Sequence, residues 1–582
     1  MVVPASLTSR AAILVSIVAC LAAASPAAAA VAPVYDDEGR LVEIPFVPVG
    51  GAVLGEQVVI DRFLDEPKVA RWLERYPPRP QTDASFDRRA RTWKVHVWSG
   101  RAGEVATGVV ADGSGRVIEA WTGPQVAWKM ARGRPGAFGG KTLTSWPVWL
   151  LLSVVFVVGL ADLRRPLRIR NLDLLVLVSF GVSLAFFNRG DVFTSVSLTV
   201  PPLAYLLGRM AWIGFRGRAP TAAQPVWPVW LLAAVTLFLV GFRVGLNVQT
   251  ERSVIDVGYA GVIGADRILD GQAPYGHMPV TTGRTPCGPA GSDGQIRERI
   301  QQNGRCEAAN PRGDTYGPFA YLAYVPAVAT FGWSGKWDSL PAAHATSLLF
   351  DALTLLGLVL VGLRYGGARL AATLPFAWAA FPFTAYALLS NTNYAIAPAV
   401  LVWGFWLAGS PTARGTTSAL AAWTKLATLP TVPLWLTYPE GPTRRGITRF
   451  ALAFSAATAA VFSIVLLEPD LGQALRLFWD RTIAFQIGRE SPFSIWDWGQ
   501  YAAEGIPDLA IGQRVVQAVT LVLAGVAAAI PARKGPLELA ALTAAILLAV
   551  QLSLTHWFYL YLPWVLPFVV LALLLPGRAS RR

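Results

Sequence analysis

Asp256 opens the stretch Ile255–Gly276, one or two turns after an apolar run that ends near Val248. An acid placed at a membrane surface is costly and is a functional hypothesis by default. Other reactive side chains collect in similar polar stretches. Tyr259 follows on the same segment. Tyr275, Asp314 and Tyr316 precede a second apolar stretch, and Lys425 sits inside a third. Arg481, Arg489 and Glu490 lie in a late polar loop, while His556 and Tyr559 open the last apolar run. An acid with several cations at one membrane face suits a lipid-linked phosphate. The cations hold and neutralise a phosphate leaving group, and the acid takes a proton from an attacking hydroxyl. Aromatic rings beside such a site can stack on sugar rings. The bland readings are a solvated loop acid for Asp256 and a snorkelling side chain for Lys425. The surrounding pattern favours chemistry.

The elements that must position these residues follow from composition. The chain has 582 residues, 54% hydrophobic and 15% charged, which fits a polytopic α-helical membrane protein. Its net charge is +14, but the basic residues gather in short clusters between apolar runs. That is the positive-inside signal, and no nucleic-acid motif accompanies it. The 22 Trp match aromatic belts at two membrane interfaces. No HExxH, paired CxxC, Walker loop or Rossmann fingerprint occurs. Metalloprotease, redox, nucleotide-hydrolysing and dehydrogenase chemistry therefore have no support.

In chain order, residues 1–30 read as a signal peptide. Arg10 precedes the apolar run Ala11–Ala23, and Ala28–Ala30 supply a small-residue cleavage site. Ile17 to Cys20 also resembles a lipoprotein cleavage box, but the Ala-rich run continues past it. Residues 31–140 are polar enough for a small extracytoplasmic α+β domain. Val69, Trp72, Leu73 and Tyr76 share a helical face, and Trp93–Trp98 alternates as a strand. Glu104–Val110 and Arg116–Trp121 flank the turn Asp112-Gly113-Ser114-Gly115. Helix plus hairpin faintly resembles the PepSY domains of exported proteins. His96 reads as a structural strand residue.

Residues 141–226 supply three membrane spans and residues 227–575 a larger helical core, about 12 membrane segments in all. The cluster Arg164–Arg170 is expected inside, with the N-terminal domain and the loop Gln249–Thr315 outside. Cys287 and Cys306 share that loop and are expected to form a disulfide in an oxidising compartment. Tyr316–Phe331 is expected to lie flat at the surface. Thr417–Tyr438 reads as two half-helices with Pro430 and Pro433 at the bend and Lys425 deep in the bundle. Residues 576–582 form a basic cytoplasmic tail. No internal repeat is evident.

Several motifs occur together in this order: a long outer loop with an early Asp, two surface helices, Gly332-Trp333 near the end of the second, and a Lys on a broken helix. They resemble the GT-C membrane glycosyltransferases. Asp256-x-x-Tyr259 followed by Leu269-x-Gly271-x-x-Pro274-Tyr275 is most similar to glycosyltransferase family 87, the polyprenyl-phosphate-mannose-dependent mannosyltransferases. The resemblance covers residues 227–575. It implies a GT-C-like core, a polyprenyl-phosphate sugar as donor and inverting transfer, with no cofactor, no nucleotide sugar and no assigned metal ligand. Asp256 matches the family's general base, and Lys425, Arg481 and Arg489 would contact phosphate. It implies mannose as the sugar, although arabinose and others use the same architecture. The implied partners are the bilayer, the lipid-linked donor and an envelope glycan or glycolipid acceptor. The N-terminal domain, for which an envelope protein partner is expected, and the three added spans depart from the family. They keep open a second function, a non-catalytic scaffold or sensor of envelope assembly. A transporter fits less well, because polar groups gather at one face and charges within the spans are few.

Overall fold

The computed structural model describes residues 34–35, 41–43, 51–133, 138–217, 227–249, 254–278, 299–300, 306–307, 313–333, 340–439, 441 and 443–575. The signal segment, the tail 576–582 and the Cys287–Cys306 pairing lie outside what is described. The chain divides into two compact units, Met1–Val126 and Ala127–Arg582.

In the first unit, strands Gln81–Asp87, Thr92–Trp98, Glu104–Ala111 and Val117–Thr122 form an antiparallel meander in chain order. Trp93, Val95 and Val97 are buried, as their alternation predicts. Helix Pro67–Leu73 buries Val69 and Trp72. Helix Glu56–Leu64 and the first strand were not expected. That strand, QTDASFD, lacks the apolar alternation that marks a half-buried strand. His96 hydrogen-bonds Glu104 and stacks on Trp98, a local sheet contact.

Asp112, read from sequence as a turn residue, is instead fully buried. It accepts the N–H groups of Val53 (2.9 Å) and Leu54 (3.1 Å) and the indole N–H of Trp93 (3.0 Å), and it pairs with Arg91 at 2.6 Å. Burial alone would raise its pKa. The hydrogen bonds from Leu54, Trp93 and Val53, with the Arg91 charge, outweigh it and hold the carboxyl below the usual range.

In the second unit, seven helices among the described residues are long and apolar enough to cross a membrane. They are Ile169–Phe187, Val192–Arg216, Val229–Gln249, Pro341–Ala380, Arg444–Leu467, Ala510–Ala529 and Pro536–Ser553. Trp146–Leu160, Pro318–Phe331, Leu426–Leu436 and Tyr559–Leu574 are shorter apolar helices. The chain is a helical membrane protein. Two buried charge pairs lie within its spans, where an isolated charge is costly. Arg243 meets Asp351 at 2.8 Å, and Trp378 donates to the same carboxylate at 2.7 Å. Asp173 accepts from Tyr205 (2.8 Å) and Arg209 (3.1 Å).

Helices Trp146–Leu160 and Val192–Arg216 pack against later helices of the same unit. Val192–Arg216 runs along Pro536–Ser553, the most enclosed of the seven long helices. The Tyr559 hydroxyl sits between Ser183 (2.6 Å) and Ser195 (2.7 Å). The segment after Val126 belongs to this unit: Ala131, Phe138 and Leu143 are buried in its core. Its boundary therefore falls before residue 140, because the apolar residues spaced through 131–143 have their partners here.

Pro341–Ala380 doubles back at Gly367 (φ 65°) into two helices, in line with the separate spans expected there. Two details differ from the sequence reading. Tyr316–Phe331 breaks into Pro318–Leu322 and Val325–Phe331. The Lys425 break falls at Lys425 itself, whose backbone is extended (φ −142°, ψ 112°) between helix Pro411–Ala422 and the 3-10 turn Leu426–Thr431. Pro433 starts the next short helix, where its missing N–H costs nothing.

Asp112→Ala would leave two backbone N–H groups and Arg91 without their acceptor. It should destabilise the N-terminal unit by about 3 kcal/mol. Hydrogen exchange of Glu104–Ala111 in the full chain should accelerate accordingly. Because the folded pKa is depressed, this stabilisation is present above the ordinary carboxylate pKa and is lost as pH falls through the lower folded value.

Candidate functional site

Two backbone contacts assemble the site. Helix Asp256–Leu269 begins where the Ile255 N–H reaches the Ser390 carbonyl at 3.4 Å. Its next turn lies on Asn391: a Cβ at Gly258 would meet the Asn391 carbonyl oxygen at 2.1 Å, so only glycine fits. Asn391 has a left-handed backbone (φ 49°) and accepts from Asn247 at 2.8 Å. Asn247 in turn accepts from His344 at 2.9 Å. The second contact joins the Tyr316 segment to the Lys425 break. Phe319 N–H donates to the Trp423 carbonyl at 3.1 Å. A Cβ at Gly317 would meet that same oxygen at 2.1 Å.

These contacts close a cavity of about 240 Å³ whose lining includes Asp256, Tyr316, Tyr394, Lys425, Arg489, His556, Tyr561 and Trp564. Asp256 is the first residue of its helix, in the turn where an acidic side chain complements the helix N-terminus. Its Oδ1 also accepts the Val257 N–H at 2.9 Å. Lys425 Nζ lies 4.1 Å from the Tyr316 ring centre, 4.3 Å from Tyr394 and 5.9 Å from Trp564. Rings in this arrangement hold an ammonium by cation–π attraction. Among the described residues Lys425 makes no ion pair.

Arg489 donates from Nη2 to His556 Nε2 at 3.3 Å. A guanidinium only donates, so His556 carries its proton on Nδ1 and donates it to Ser491 Oγ at 2.8 Å. His556 is held well below the ordinary imidazole range, by burial first and then by the charges of Arg489 and Lys425. Arg489 Nε and Trp564 Nε1 are buried without a partner among the described residues. With His556 neutral, Arg489 and Lys425 share the cavity with Asp256. The Arg489 guanidinium, with a buried donor lacking a partner among the described residues, suits an anion.

The expected residues divide. Asp256, Tyr316, Lys425, Arg489 and His556 line one cavity. Tyr275, Asp314 and Arg481 form a brace behind it: Asp314 accepts from Arg481 (2.8 Å) and the Gly276 N–H (2.6 Å), and Tyr275 donates to the Tyr316 carbonyl at 3.0 Å. Arg481 lies on a π-helical turn, Trp479–Ala484, that continues helix Leu471–Phe478 toward Gln486 and Arg489. Tyr259 is buried beside Trp333. Tyr559 is held by the two serines, and Glu490 is exposed. None of these last three lines the cavity. Residues the sequence reading missed are Tyr394, Tyr561, Trp564 and Trp128. Tyr561 and Trp564 stack at 4.4 Å, and their spacing of three on the last helix was a usable signal. Trp128 gave none.

No family model matches the chain, and no curated protein and no solved structure matches it.

Arg489→Ala should weaken binding of inorganic phosphate, as a minimal anion probe, to the full chain in nanodiscs at least about tenfold. It also removes a charge that keeps His556 neutral. The His556 pKa then moves up toward its ordinary value. Relative to wild type, residual affinity should therefore improve as pH falls through the imidazole range. Titration calorimetry across that range checks both effects.

Proposed function

We propose that this protein is a membrane glycosyltransferase that transfers a sugar, mannose in the first instance, from a polyprenyl-phosphate donor to an envelope glycan or glycolipid acceptor. One observation carries the reading: Asp256, Lys425 and Arg489, drawn from three distant parts of the chain, line one cavity walled by aromatic rings. The resemblance of residues 227–575 to the GT-C enzymes supplies the donor class and the outer face as the site of reaction.

The step balances with the groups present. The acceptor hydroxyl gives its proton to the Asp256 carboxylate as its oxygen attacks the anomeric carbon. The bond from that carbon to the bridging phosphate oxygen breaks, and its electron pair leaves on the phosphate. Lys425 and Arg489 stabilise the charge that develops there. Attack opposite the leaving group inverts the anomeric centre. The Tyr316, Tyr394 and Trp564 rings hold Lys425 in place until the anion arrives, and the Tyr275 hydroxyl holds the Tyr316 backbone from behind.

Asp256→Asn keeps the shape of the side chain and removes the base. Transfer from radiolabelled polyprenyl-phosphate mannose to membrane acceptors should fall by about 10²–10⁴-fold. Donor binding should change little. Undiminished transfer by the variant would remove Asp256 from the reaction. Absence of transfer by wild type from both mannose and arabinose donors would favour the scaffold reading.

A further inference from the structure

Trp128 is the cavity residue least expected from the core. It lies outside residues 227–575, two positions past the end of the N-terminal unit, yet it lines the same cavity as Asp256 and Lys425. Its placement is fixed. Phe493 meets its ring edge-on at 5.5 Å, and His556 lies tilted at 5.9 Å. Ten residues on, Phe138 anchors the same segment, 98% buried with its ring 5.0 Å from Phe558.

Two features mark Trp128 as more than a wall. Its indole N–H donates no hydrogen bond among the described residues, as is also true of Trp564 in the same cavity. A half-buried indole that lines this cavity keeps a donor for what enters it. Its ring centre also lies 5.9 Å from the Arg489 guanidinium carbon. A phosphate bound at Arg489 carries its sugar one bridging oxygen away, within reach of that ring.

We infer that Trp128 is a sugar-facing specificity residue: its ring packs on the sugar carried by the lipid phosphate, and its N–H donates to a sugar hydroxyl. The inference rests on the proposed lipid-phosphate-sugar reading. It assigns the segment between the N-terminal unit and the first membrane helix a direct part in the site, so that the GT-C-like core alone does not complete it.

The test compares two probes on the full chain in nanodiscs, farnesyl phosphate and farnesyl phosphoryl mannose, by titration calorimetry. Trp128→Ala should weaken the mannosyl probe by about tenfold or more while farnesyl phosphate stays within about twofold. Trp128→Phe keeps a ring and loses the N–H, and should fall between, near threefold for the mannosyl probe alone. Equal weakening of both probes, or no change in the mannosyl probe, overturns the inference and leaves the phosphate site standing. Failure of wild type to bind either probe overturns the lipid-phosphate reading and this inference with it. Thermal unfolding of each variant guards against misfolding. If the alanine protein does not fold, the phenylalanine variant decides by the same comparison.

Discussion

The site depends on how one ammonium group is held. Lys425 sits at a break between helical segments with rings on several sides and no ion pair among the described residues. A carboxylate partner would satisfy it more strongly and would also occupy it. Aromatic faces offer up to about 2 kcal/mol when desolvated, against a burial cost of several kcal/mol. They offset part of that cost and leave the charge unneutralised. Much of the surroundings then follows. Trp423 must present its carbonyl to the Tyr316 segment, Gly317 must lack a side chain to let it approach, and the Tyr275 hydroxyl must hold the Tyr316 backbone from behind.

The same logic separates the charges that line the cavity from those that do not. Arg243 with Asp351, Asp173 with Arg209, and Arg481 with Asp314 are matched pairs that join distant stretches of chain. Charge closed on itself is structural. Arg489 differs, because the partner it donates to is a neutral imidazole and not a carboxylate. A guanidinium in a cavity wall with a neutral partner is open to an anion.

Much of this was legible in the sequence, and what was hidden has physical causes. Apolar runs of span length and basic clusters announced a helical membrane protein, since lipid forces backbone polar groups into helices. Asp256, Lys425, Arg489 and His556 stood out because ionisable residues are rare in such chains. Arg481 looked identical to Arg489 in sequence. Only the fold places Asp314 opposite one and a cavity beside the other. Asp112 sat in a Gly-rich turn, and nothing local reports that Val53 and Leu54 fold back onto it across nearly sixty residues. Aromatic residues are so common here that Tyr394, Trp564 and Trp128 carried no signal singly.

The π-turn at Trp479–Ala484 adds a further constraint. It lies between the brace residue Arg481 and the cavity residues Gln486 and Arg489. Each residue of a helix advances the side-chain direction by about 100°. The wider turn therefore sets the phase between two functions on one segment. A single deletion there, with every named residue intact, would rotate the end of helix Phe485–Ile487, from which Arg489 follows two residues later, relative to Arg481 on Asp314. This segment should accept changes of letter far more readily than changes of length, a pattern that resembles a ruler more than a recognition motif.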